Sequence, residues 1–145
     1  MQALPHHYLV SAAAEAAGNV TVTCEGLAAL DTNAPPEFGG PEGLWSPETL
    51  FAAAIADCYI LSFRACSGAA KLEWIDLKSE VVAVLDRVER QLKFTEVEIR
   101  ATLRVPAGTD LEKARQVAEK AENTCLITNS LTAECRLELT LETLD

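Results

Sequence analysis

The sequence predicts an α+β fold, antiparallel sheets around a long central helix, and three observations carry that prediction. Strand-like segments fill the first thirty residues, a long Ala-rich apolar helix follows, and period-two alternation returns on both sides of a second, charged helix. The order reads βββ-α-βββ-α-α-β, with strands and helices segregated along the chain as α+β folds require.

The elements follow in order. Tyr8–Ser11 and Val20–Cys24 read as strands, with Gly18-Asn19 turning the chain between them. Leu27–Leu30 is a third short strand, and the Pro- and Gly-dense stretch Asn33–Gly43 is loop. Ser46 then caps a helix whose first position is Pro47, where the missing N–H costs nothing. That helix runs to about Gly68, with Leu50, Phe51, Ala54, Ile55, Cys58, Leu61, Ser62 and Ala65 on one stripe. Its other flank is also apolar (Ala52, Ala56, Tyr59, Phe63), so burial nearly all round is expected.

Ile75–Leu85, Arg90–Phe94 and Glu96–Val105 alternate as strands, and in the last of these Val97, Ile99, Ala101, Leu103 and Val105 share a face. A half-solvated antiparallel sheet is the expectation. Pro106–Asp110 ends it and leads to a helix over Leu111–Asn123 with a charged outer face. Cys125–Leu131 reads as a short helix or turn, and Glu134–Leu144 as a final strand.

At 145 residues the chain is read as a single domain, 1–145, long enough for its own core. Twelve Lys and Arg against 22 Asp and Glu give a net charge of -10, which argues against a nucleic-acid partner because phosphate needs a basic footprint. No apolar run reaches the roughly 20 residues of a membrane span, and Met1–His7 lacks the cationic start of a signal peptide. The five cysteines are odd in number and widely spaced, without Cys-x-x-Cys, so neither a disulfide framework nor a zinc knuckle is expected. A reducing, cytoplasmic setting suits them.

Two cysteines stand in unusual surroundings. Cys58 sits inside Ser46-Pro-Glu-Thr-Leu-Phe-Ala-Ala-Ala-Ile-Ala-Asp-Cys58, and Cys125 opens Cys-Leu-Ile-Thr-Asn-Ser-Leu131. A free cysteine is ordinarily a small buried hydrophobe. A working one needs its thiolate, hence a positive neighbour or a helix N-terminus. Cys58 lies about three turns into its helix beside Asp57, so neither is supplied locally. Cys125 is a candidate resolving thiol for a sulfenic acid on Cys58. Cys24, Cys66 and Cys135 have no unusual neighbours and read as packing, and His6 and His7 as solvent-facing. Glu48 occupies the first helical turn, where the dipole stabilises a carboxylate. Ten residues, about 15 Å, separate it from Cys58 along a straight helix. The two share a site only if the helix breaks or a second subunit contributes one of them.

These residues resemble the OsmC/Ohr family, the osmotically inducible and organic hydroperoxide resistance proteins. Pro47-Glu48-Thr49-Leu50-Phe51-Ala-Ala-Ala54 with Cys58 looks like the family's helix motif, and Cys125–Leu131 like its second cysteine motif. The resemblance covers essentially the whole chain. It implies an intertwined homodimer with active sites at the dimer interface. It also implies thiol-dependent reduction of small organic hydroperoxides, with Cys58 as nucleophile, Cys125 as resolver and Glu48 as orienting carboxylate. A dithiol such as a lipoyl group would restore the enzyme, and no metal or organic cofactor is needed. The chain departs from the family at one point. Active members pair the Glu with an Arg from the N-terminal strands, whereas no Arg or Lys precedes Arg64 here. A cysteine without a cationic partner keeps its ordinary pKa near 8.5. The alternative is therefore a catalytically weak dimer that binds a small hydrophobic ligand, or one that acts as a thiol redox sensor.

Overall fold

A computed structural model describes residues 1–145 as two compact units, Met1–Phe51 and Ala52–Asp145. The boundary falls within the first helix, α1 (Pro47–Ala70).

The first unit is a three-stranded antiparallel sheet, β1 (Ser11–Ala13), β2 (Val20–Thr23) and β3 (Leu30–Thr32), in the order β1-β2-β3. The strands are shorter than the sequence suggests, and β1 and β3 begin about three residues later. Residues 8–10 are exposed and make no ladder, so their apolar character alone does not pair them. The loop that follows contains a 3-10 turn, Pro36–Phe38. Gly40 is obligatory there, because a Cβ would stand 1.7 Å from the Ala34 carbonyl oxygen. A bridge between Thr32 and Trp45 leads into the α1 cap. Ser46 Oγ accepts the Thr49 N–H at 3.1 Å, and Thr49 Oγ1 accepts the Ser46 N–H at 2.8 Å. This is a capping box closed by Thr49, so Glu48 is not needed to satisfy the helix start.

The second unit holds the core. Strands β4 (Asp76–Val88) and β5 (Gln91–Pro106) form a long hairpin, and β6 (Glu134–Leu144) joins the other edge of β5. Glu89 and Arg90, with φ of 50° and 72°, make the two-residue hairpin turn in the left-handed backbone that such loops demand. The two strands expected over Arg90–Phe94 and Glu96–Val105 are one strand, bulged between them: Val84 pairs with Glu96 and Leu85 with Phe94, leaving Thr95 as the extra residue. The expectation of a wholly antiparallel sheet is corrected at β6, which runs parallel to β5 from Glu96–Glu134 to Pro106–Leu144. The chain returns through the second helix, α2 (Leu111–Asn123), and a helical crossover restores the strand direction.

Val97, Ile99, Ala101, Leu103 and Val105 are all buried, as their alternation predicts. Helix α2, capped by Asp110 accepting the Lys113 N–H at 3.1 Å, buries Ala114, Val117, Ala118 and Ala121. Within α1 only Ile55, Tyr59, Phe63 and Ser67 are buried, one residue every four, whereas Ala54, Leu61 and Ala65 are exposed. Burial all round is thus corrected to a single stripe: one chain presents only one surface to this helix. Tyr59 donates its hydroxyl to the Ala118 carbonyl at 3.2 Å, and Phe63 meets Trp74 edge to face with centroids 5.2 Å apart. Helix α1 is also, by length and composition, apolar enough to cross a membrane, which corrects the expectation that no apolar run is long enough for a span. Two charges, Asp57 and Arg64, do not lower the mean hydropathy of 18 residues, here 1.4, out of that range.

Candidate functional site

The residues singled out by chemistry fall in both units. Cys58 and Cys125 belong to the second. Cys58 lies on α1, half-buried, one position before the buried Tyr59, with its sulfur 3.9 Å from Ser62 Oγ one turn on. Cys125 is fully buried just past the end of α2, at the start of a turn that closes as a 3-10 helix, Thr128–Ser130. Its carbonyl accepts the Asn129 N–H at 3.0 Å and the Thr128 hydroxyl at 3.2 Å, which folds the backbone back over the sulfur.

The two thiols influence one another's ionisation, and all five cysteines are free. Their electrostatics differ in direction. Burial raises the Cys58 thiol above its ordinary pKa, and its contact with Cys125 adds to that, against the lowering effect of the Ile127 N–H and Ser62. At Cys125 burial also pushes upward, but it is outweighed by the Thr128 N–H, the Cys58 thiol, the Thr128 hydroxyl and the Ile127 N–H, so this thiol is lowered. Backbone and hydroxyl donors stabilise the thiolate in place of a cation.

Ile127, Thr128 and Ser62 were not singled out from the sequence. Ser62 was legible as an i+4 neighbour of Cys58 on one helix stripe. The two backbone donors were not, because any residue carries an N–H and only the turn aims them.

Glu48 lies in the first unit, in the first turn of α1, with Oε2 sealed from solvent and without a hydrogen-bond partner. Cys24, Cys66 and Cys135 each make one weak contact, to Leu9 O at 3.6 Å, Thr124 Oγ1 at 3.6 Å and Ala133 O at 3.5 Å. Cys135 is raised by burial first, then by Glu122 and Cys125. His6 and His7 are exposed. No group of three or more His, Cys, Asp or Glu side chains is arranged to hold a metal ion.

An α+β chain with two sheets and a paired-thiol turn after its second helix defines a class of OsmC-type folds. A family model described as OsmC-like protein matches residues 39–140, and the chain belongs to that family. It is 24% identical over 138 residues to the uncharacterized protein YmaD of Bacillus subtilis (strain 168), covering 92% of each. An OsmC-like protein of unknown function from Vibrio cholerae superposes with a TM-score of 0.83 at 19% identity, over 93% of this chain and 99% of that one. An organic hydroperoxide resistance protein from Elizabethkingia anophelis gives 0.77 at 23% identity, over 99% and 100%.

Proposed function

We propose that this chain, acting as one OsmC-like domain over 1–145, is a cytoplasmic, homodimeric thiol peroxidase that reduces small organic hydroperoxides. The observation that supports it most is that Cys58 and Cys125 act on each other's ionisation within one unit, with only the second sulfur sealed away. The Cys58 sulfur attacks the terminal peroxide oxygen and the O–O bond breaks. The alkoxide leaves with a proton as alcohol, and Cys58 becomes a sulfenic acid. The Cys125 thiolate then attacks the Cys58 sulfur, hydroxide leaves and takes a proton as water, and a disulfide forms. A dithiol, such as a lipoyl group, reduces that disulfide in two exchange steps and is itself oxidised to a cyclic disulfide. A lowered pKa fits the resolving role, since Cys125 needs no base. A raised pKa on Cys58 requires its proton to be given up as the peroxide is attacked, with the Ile127 N–H remaining to stabilise the sulfur. Glu48 is the orienting carboxylate of the proposed site. No metal or organic cofactor enters these steps.

Homodimerisation is supported by the first unit's lack of a core. None of the fully buried apolar side chains belongs to Met1–Phe51, while Leu4, Tyr8 and Leu9 are more than four-fifths exposed. The assay is consumption of cumene hydroperoxide with dihydrolipoamide as reductant. The unsubstituted chain should turn over, Cys58→Ser should be inactive, and Cys125→Ser should stall after a single oxidation. Turnover that persists in Cys58→Ser overturns the reading.

The second reading, a thiol redox sensor, is favoured by the raised Cys58 thiol. It predicts disulfide formation under peroxide with negligible turnover.

A further inference from the structure

Within the second unit, the last turn of α1 and one side of α2 border a groove of about 420 Å³. Its apolar wall is Ala69, Ala70 and the buried Val117. Cys66 lines one end, its sulfur 3.6 Å from Thr124 Oγ1. Lys113 and Lys120 supply the charge. An apolar surface with a few charged groups to set orientation is the make-up of a small-molecule site. The two lysines are seven residues apart on one helix. Seven residues are two turns, so both project from the same side of α2, about 10 Å apart along its axis.

The fold gains little from this arrangement. Lys120, in the last turn of α2, suits the helix dipole, but Lys113 is the third residue of the helix, where the dipole disfavours a cation. Lys113 is also half-buried. Neither lysine forms an ion pair, and the four pairs of this structure all lie on β4, β5 and β6. Carboxylates are in ample supply, with 22 Asp and Glu to 12 Lys and Arg, yet Glu112 beside Lys113 accepts from Gln116 instead, at 3.3 Å. We propose that the groove binds a linear dicarboxylate, one carboxylate on each lysine and its methylene chain on Ala69, Ala70 and Val117. An extended chain of eight carbons sets its two carboxylates about as far apart as the lysines. A monocarboxylate of that length satisfies only one ammonium, a short diacid cannot span both, and a diol answers neither charge. No residue of this groove enters the peroxide reaction proposed above, so the two readings stand or fall separately.

The test uses the full chain at pH 7 and low ionic strength, where exposed charges are least screened. The probes are octanedioate, octanoate, butanedioate and octane-1,8-diol. Titration followed by amide shifts should rank octanedioate at least threefold above octanoate and above butanedioate, with the diol weakest, and the shifts should cluster at Ala69, Ala70 and Val117. Lys113→Gln and Lys120→Gln, which keep most of the side chain and remove the charge, should each lower octanedioate to the affinity of octanoate. Octanedioate should also slow iodoacetamide alkylation of Cys66, read by peptide mass, and leave that of Cys24 unchanged. Equal binding of octanedioate and octanoate, a lysine substitution without effect, or shifts that fall elsewhere while Cys66 stays unprotected overturns the proposal.

Discussion

At the residue scale, the division of labour between two sulfurs is set by what surrounds them. Cys58 and Cys125 are both shielded, and shielding disfavours a thiolate at either. The difference lies in the donors, since the turn Cys125–Ser130 aims the Thr128 N–H and hydroxyl and the Ile127 N–H at Cys125. As pH rises, the group with the lowered pKa loses its proton first. Cys125 should therefore ionise below the ordinary value near 8.5 and Cys58 above it. Selective 13C labelling of the cysteine Cβ atoms resolves the two titrations by NMR. A Cys58 resonance that moves first would show that the turn does not hold the charge. The same directions carry a stability consequence. A thiol raised by folding favours the fold while protonated, so the Cys58 contribution is lost as pH climbs through its folded pKa. Cys125 has the opposite sign, and its contribution grows above its own lowered pKa.

At the element scale, helix α1 is fixed at both ends, but not equally well. Its start is satisfied twice over by Ser46 and Thr49. Its end is a Schellman turn, with Leu72 N–H bonded to Ser67 O at 2.9 Å, and Lys71 at φ 53° stands where glycine is ordinarily found. A left-handed non-glycine residue costs about 1–2 kcal/mol, and glycine gives back roughly half of that in chain entropy. Lys71→Gly should thus raise stability by about 0.5–1 kcal/mol, seen as a higher denaturant midpoint at unchanged slope. A lower midpoint would mean that the lysine side chain, not its backbone, holds the turn. The elements themselves were largely legible, for local reasons. Pro47 after Ser46, Asp110 before Leu111 and the alternation over Glu96–Val105 each state a boundary or a face in adjacent residues. The direction of β6 was not legible, because Cys135, Leu137, Leu139 and Leu141 alternate identically in a parallel or an antiparallel ladder. The bulge at Thr95 appeared in the sequence as a break between two strands, and pairing with β4 shows it as one strand with an extra residue. The Glu48 site was half legible: the residue was marked by its motif, but its unpartnered oxygen emerged only when Thr49 took over the cap.

At the scale of the whole molecule, apolar surface and charge are both unevenly shared. The fully buried apolar side chains all come from Ala52–Asp145, whereas the first unit keeps Leu4, Tyr8, Leu9, Val10 and Leu27 in water. Exposed apolar residues clustered along one segment mark an interaction surface more often than a solvated one. The exposed side of α1, with Leu61 and Ala54, is a second such surface within the same chain. Two copies that exchange these faces bury both without any further partner, and twofold symmetry closes the assembly at two. Burying a Leu or Tyr side chain contributes about 1.5–3 kcal/mol, so an arm carrying Tyr8, Leu9 and Val10 is enough to decide association. Light scattering on the full chain should accordingly give twice 15.6 kDa. Replacing Tyr8 and Leu9 together by Asp adds charge to the arm of a unit that already holds six carboxylates and no Lys or Arg. It should raise the dimer dissociation constant by well over tenfold while leaving the far-ultraviolet dichroism of the Ala52–Asp145 core in place, because none of that core's buried residues lies in the arm. A chain that is monomeric at every concentration, or a double variant that dimerises as before, would mean that the arm serves some other purpose.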